Sequence, residues 1–233
     1  MPALYKLTGR RFLLFAAVLG LVAGCAGSSP TIDTSDEADM TFDGLYPVKG
    51  GTADQAWARP GADISQYSKI MLQGVGIEYR PGGESGRFSY GRAGTDHYEI
   101  SDAQKQRLRS VVRDAFLDEL AQSEYFSLVT EPGPDVLLIR GALHDVVSYV
   151  PPEPLGRGEI FLSKVGEATL VLEIRDSVSE AIIARAVDRR AAEDALGMRA
   201  SNRVNNLSEV KRLARTWGSL LRKRLDTFAE PKE

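Results

Sequence analysis

The chain has 233 residues, 43% of them hydrophobic and 26% charged, enough apolar side chains for one buried core. Its 29 basic and 32 acidic residues leave a formal net charge of −3, which argues against nucleic acid as a partner. A single cysteine excludes an internal disulfide, so stability must come from packing.

In chain order, Lys6, Arg10 and Arg11 form a basic region, and Phe12 to Val22 form an apolar run shorter than the about 20 residues a bilayer span needs. That is signal-peptide architecture. The run ends in Leu21-Val22-Ala23-Gly24-Cys25, which resembles the bacterial lipobox. The resemblance implies cleavage between Gly24 and Cys25, diacylation of the Cys25 thiol, and acylation of the new amino group by a palmitate-like chain. A buried thiol behind an ordinary secretory signal is the bland alternative. Two acyl chains at about 0.8 kcal/mol per buried methylene give stable anchoring, so membrane lipid is the expected partner through acylated Cys25. Ala26 in place of aspartate implies delivery to the outer membrane by the enteric sorting rule, facing the periplasm. Loss of residues 1–24 removes three basic residues and no acidic one, leaving 26 against 32, or −6.

Residues 25–63 are rich in Gly, Ser, Thr, Asp, Glu and Pro and read as the lipidated cysteine plus a flexible tether, spanning roughly 35 Å if unstructured. Phe42, Leu45, Tyr46 and Trp57 interrupt it as residues that pack on the folded part or dock elsewhere. Residues 64–233 read as one α+β domain. Ile70 to Tyr79 alternates as a first strand. Pro81 to Gly94 follows as a glycine-rich loop with Arg80, Arg87, Phe88, Tyr90 and Arg92 around it. Ser101 and Gln104 have capping-box spacing, and Leu108, Val111, Val112, Ala115, Phe116 and Leu120 make one helical face. Tyr125 to Thr130 is a short strand, and Val136 to Val150 a long central one. Ala168 to Arg175 and Ile182 to Arg189 alternate on either side of a turn, which predicts a hairpin. A last helix is expected from near Ser208, with Val210, Leu213, Ala214, Trp217, Leu221 and Leu225 on its apolar side and a basic remainder. The order β, α, β, β, β, β, α predicts a single antiparallel sheet of about four or five strands backed on one face by two helices.

Several segments, in this order, resemble a bacterial lipoprotein family catalogued as a domain of unknown function, DUF3313. They are Tyr67-Ser68-Lys69-Ile70-Met71-Leu72, Leu117-Asp118-Glu119-Leu120, Glu131-Pro132-Gly133-Pro134-Asp135-Val136-Leu137, Leu172-Glu173-Ile174-Arg175-Asp176-Ser177 and Ala186-Val187-Asp188-Arg189-Arg190. The turn after Asp176 lacks the glycine expected of that family. The resemblance implies an envelope lipoprotein and transfers no catalytic residue.

Chemistry is sparse in the sequence. His97 and His144 are the only histidines and have no metal-ligand spacing, so no metal or cofactor is expected. No nucleophile elbow is present, and Gly83-Glu84-Ser85-Gly86 lacks the lysine of a phosphate loop. Asp176 and Asp188 could form an acid-base pair only in a pocket that raised one pKa; turn capping and ion pairing with Arg175, Arg189 or Arg190 are the plainer roles. Three function classes follow. The first is a non-enzymatic interaction or assembly module for an envelope partner, through a sheet edge or the glycine-rich loop. The second is a lipid or cell-wall ligand-binding lipoprotein, and the third a hydrolase using Asp176 and His144.

Overall fold

From Val136 onward alternate strand residues, Leu137, Ile139 and Leu143 among them, join the helices in one core, and this alternation sets the layers. In a computed structural model, residues 30–81, 97–151, 159–193 and 197–230 are described. The signal peptide, Gly24, Cys25 and nearly all of the glycine-rich loop lie outside the described residues.

The elements are β1 (Thr31–Ile32), β2 (Tyr46–Lys49), β3 (Gln55–Ala58), β4 (Lys69–Tyr79), α1 (Asp102–Leu120), β5 (Ser127–Val129), β6 (Val136–Ser148), β7 (Phe161–Leu162), β8 (Lys164–Asp176), β9 (Ile182–Glu193), β10 (Arg199–Ala200) and α2 (Arg203–Ala229). Eight strands form one sheet in the order β1-β2-β3-β9-β8-β6-β4-β5, and β10 pairs with β7 in a separate two-stranded piece. This corrects the expected antiparallel sheet of four or five strands. The sheet is mixed, because β4 runs parallel to both β5 and β6. The helix between β4 and β5 returns the chain to the end where β4 began, which makes the next strand parallel.

The second correction concerns the tether. From Thr31 to Ala58 the chain supplies three strands, and β3 pairs with β9 from Gln55↔Val187 to Ala58↔Ala184. Leu45 is fully buried, whereas Phe42 is exposed. A flexible tether over residues 25–63 therefore does not describe the part of that segment from Thr31 on.

Helix α1 begins where its capping box lies: Ser101 accepts from the Gln104 amide, and the Gln104 side chain accepts from the Ser101 amide. Helix α2 starts five residues before Ser208. The Asn202 side chain accepts from the amides of Val204 and Asn205, satisfying donors at the first turn. Both helices lie on the same face of the sheet. There Ile70, Leu137, Ile139, Leu143 and Leu170 meet Val112, Phe116, Leu120, Trp217 and Leu225 in one core. Each fully buried Leu or Phe contributes roughly 1.5–3 kcal/mol.

The β8–β9 hairpin forms as expected. Asp176 Oδ1 accepts from the amides of Val178 and Ser179, and Glu180 takes φ of +57°, the left-handed position that a glycine would occupy without strain.

Candidate ligand-binding cavity

The two helices run parallel, which follows from what lies at their ends. Ser101 and Asn202, at the two N-termini, line one cavity, and beyond the C-terminus of α1 Ser123 donates to Asp226 near the end of α2. In between they touch at Gly218, where an added Cβ would lie 3.0 Å from Glu119 Cβ. At the N-terminal end a cavity of about 870 Å³ lies between the helices and the sheet. Pockets for small ligands run from about 300 to 1,000 Å³ and are mostly apolar.

Its floor is the sheet face bearing Leu143, Val146, Val165 and Ala168, and its helical wall carries Leu108, Val112, Val210, Ala214 and Trp217. The space is explained by residue size. Gly166, Ala168, Ala192, Ala200 and Ala214 occupy lining positions, so side chains that would close a core are short here. Gly166 is required for a further reason: a Cβ there would lie 2.5 Å from the Val147 carbonyl oxygen, where β6 bulges between His144 and Val147. Asp145, inside that bulge, adopts φ of +54° and is held by Arg80 and by Arg189 Nη1 at 2.9 Å. Its carboxyl lies below the usual range, chiefly through the Arg80 hydrogen bond.

Trp217 closes the inner end. Its indole N–H donates to Asp188 Oδ2 at 2.7 Å, and the same carboxylate accepts from Arg190 Nε and, through Oδ1, from the Asp54 amide at 3.3 Å. Among the described residues the charged lining side chains are Arg107, Arg203, Glu159 and Glu167. Glu167 accepts from Arg189 Nη2 and from the Tyr149 hydroxyl, which burial and that bond push up.

The other sequence candidates are dispersed. Asp176 lies at the hairpin turn and Asp188 seven residues along β9 from Ala181, which bonds Asp176, so the two are roughly 20 Å apart. They form no pair: Asp176 caps the turn and accepts from the Tyr67 hydroxyl at 3.0 Å. His144 Nδ1 lies 2.7 Å from Glu78 on a sheet face away from the cavity, and His97 Nε2 lies 2.9 Å from the Pro81 carbonyl oxygen. Among the described residues no group of His, Cys, Asp and Glu is placed to hold a metal ion, and no helix is long and apolar enough to cross a membrane. Sequence reading missed the cavity because its walls carry ordinary core patterning. The usable signal was the run of alanines at core-facing positions of β8, β9 and α2.

The sequence model of DUF3313, described as a protein of unknown function, matches residues 35–221. No curated protein matches the chain. Among solved structures, a PelC dodecamer from Paraburkholderia phytofirmans is similar at 12% identity and TM-score 0.34, covering 71% of this chain and 96% of its own. A Xanthomonas campestris protein of family DUF330 is similar at 9% identity and TM-score 0.38, covering 74% and 91%. A minor lipoprotein from Acinetobacter baumannii is similar at 12% identity and TM-score 0.32, covering 72% and 98%.

Proposed function

We propose, for a chain that belongs to the DUF3313 family of proteins of unknown function, that it is a lipid-anchored protein of the bacterial cell envelope which holds the apolar part of a ligand between its helices and sheet. The cavity of about 870 Å³, with its apolar floor, carries the reading. Hydrocarbon placed there gains roughly 25 cal/mol for each Å² removed from water. The lipobox at Leu21 to Cys25 supports anchoring through acylated Cys25 in the outer membrane, with the domain facing the periplasm.

The activity is read as binding rather than turnover, because Asp176 and His144 are engaged away from the cavity. An assembly module built on a sheet edge is the second reading: β5 pairs only with Lys69–Met71 of β4, so from Leu72 to Tyr79 that edge has no partner strand among the described residues. The cavity is favoured over it because it offers a concave apolar volume of ligand size.

Val210→Trp tests the cavity, since the indole fills space at the half-buried helical wall. The protein should retain lipid on purification, read by solvent extraction and mass spectrometry, and should bind a fluorescent fatty-acid probe. The variant should lose at least tenfold in probe affinity with its thermal midpoint little changed; undiminished binding would remove the cavity as the site. In the same cells, Cys25→Ser should move from the membrane to the soluble fraction, and its retention in the membrane would remove the anchor.

A further inference from the structure

Among the described residues, the cavity's apolar floor ends at a rim whose charges are not balanced. Arg107, in the second turn of α1, and Arg203, the first residue of α2, both line the cavity and are exposed. Among the described residues neither forms an ion pair, while Arg212, Arg215 and Arg222 farther along α2 pair with Glu209, Asp118 and Asp226. Arg203 lies eleven residues before Ala214, three helical turns, so it shares the cavity-facing side with Leu207 and Val210. A cation at the N-terminus of a helix is opposed by the helix dipole, and the first turn of α2 contains no acidic residue to relieve it. The local energetics of folding therefore do not account for an arginine there. Of the two acids among the described lining residues, Glu167 is occupied by Arg189 and Tyr149, leaving exposed Glu159 against two cations.

We infer that the ligand is an anionic amphiphile, with its hydrocarbon chain in the cavity and its phosphate or carboxylate group on Arg107 and Arg203. This rests on the reading that the cavity holds a ligand, and it adds the sign and position of the headgroup. Guanidinium groups suit such an anion because they offer paired donors in a plane.

The test compares two lipids with one chain in common, 1-oleoyl-lysophosphatidate and 1-oleoylglycerol, on the whole mature chain carrying Cys25→Ser so that no detergent is needed. The lysophosphatidate should bind at least about tenfold more tightly, the scale of a charge-assisted hydrogen bond. Arg107→Gln with Arg203→Gln should abolish that preference, lowering affinity for the lysophosphatidate at least about tenfold toward that of the glycerol ester. Equal affinities in the parent, or a preference that survives the double variant, would overturn the headgroup assignment and leave the cavity reading standing. Binding of neither lipid would overturn both. Inorganic phosphate that displaced the fatty-acid probe as well as the lysophosphatidate would assign the site to a free anion and overturn the amphiphile.

Discussion

At Asp188, one buried carboxylate joins three parts of the chain. It is 7% exposed and accepts from the Trp217 indole of α2, from its neighbour Arg190, and from the Asp54 amide before β3. Its removal leaves a buried indole N–H without an acceptor and a half-buried guanidinium without its partner, so the loss exceeds that of an average hydrogen bond. Asp188→Ala should destabilise the fold by about 3 kcal/mol, and Asp188→Asn, which keeps an acceptor for the indole, by less. Urea denaturation followed by tryptophan fluorescence measures both; an unchanged midpoint for Asp188→Ala would show that the three bonds contribute nothing net. The sequence showed an aspartate on a strand beside arginines and could support the ion pair. It could not show Trp217, because a contact 29 residues away depends on how α2 lies across the sheet.

Elements were legible where local chemistry decides them. The Ser101–Gln104 box fixes the start of α1, and period-two alternation fixes β4, β6, β8 and β9 to within a few residues. The parallel pairing of β4 is compatible with the order strand, helix, strand, but which strands flank β4 depends on contacts distant in the chain, Ile70 with Leu137 among them. The start of α2 was displaced because its first turns alternate polar asparagines with Val204 and Leu207, and half of that face borders a cavity instead of a core. Gly166 is the element-scale device least visible in sequence, since only its opposite strand makes it necessary. There β8 passes close to the bulge of β6, and a methyl group would meet the Val147 carbonyl oxygen at 2.5 Å, a backbone atom that cannot rotate away. Gly166→Ala should therefore cost about 1–3 kcal/mol despite its gain in strand propensity, and it should also weaken lipid-probe binding because the displaced backbone forms the cavity floor. A variant as stable as the parent would mean that the β6 bulge moves freely.

For the whole molecule, polar composition concealed the role of residues before Asp63. The β1–β3 segment adds to the sheet through β9 and is held by charge as much as by apolar contact. Arg185 on β9 reaches Asp43 at 2.6 Å and Glu173 at 2.9 Å, and Glu173 also accepts from Arg175 Nε at 2.9 Å. These carboxyls lie below their ordinary values: Asp43 chiefly through Thr41 and then Arg185, and Glu173 because its two arginine bonds outweigh the effect of burial. Asp176 is lowered as well, first by the Ser179 amide and hydroxyl. A depressed carboxyl stabilises the fold fully above its unfolded value and loses that contribution as pH falls through its folded one, so stability should decline from about pH 4 downward. Tyr67 behaves oppositely. Burial, then its bond to Asp176, pushes its hydroxyl up to about 12. The unfolded chain ionises first, near pH 10, so stability is full below that value and declines between about 10 and 12. Thermal midpoints measured across pH should form a plateau with these two limbs. Tyr67→Phe should reduce the alkaline limb, to which Tyr79 and Tyr149 also contribute, and take a smaller share from the acid limb by removing one of the bonds that lower Asp176. Asp43→Asn should reduce the acid limb while loosening the N-terminal strands first, seen as faster amide exchange in β2 and β3 than in β6. Uniform exchange across the sheet in that variant would show that the N-terminal strands are held by their backbone pairing and not by the Arg185 network.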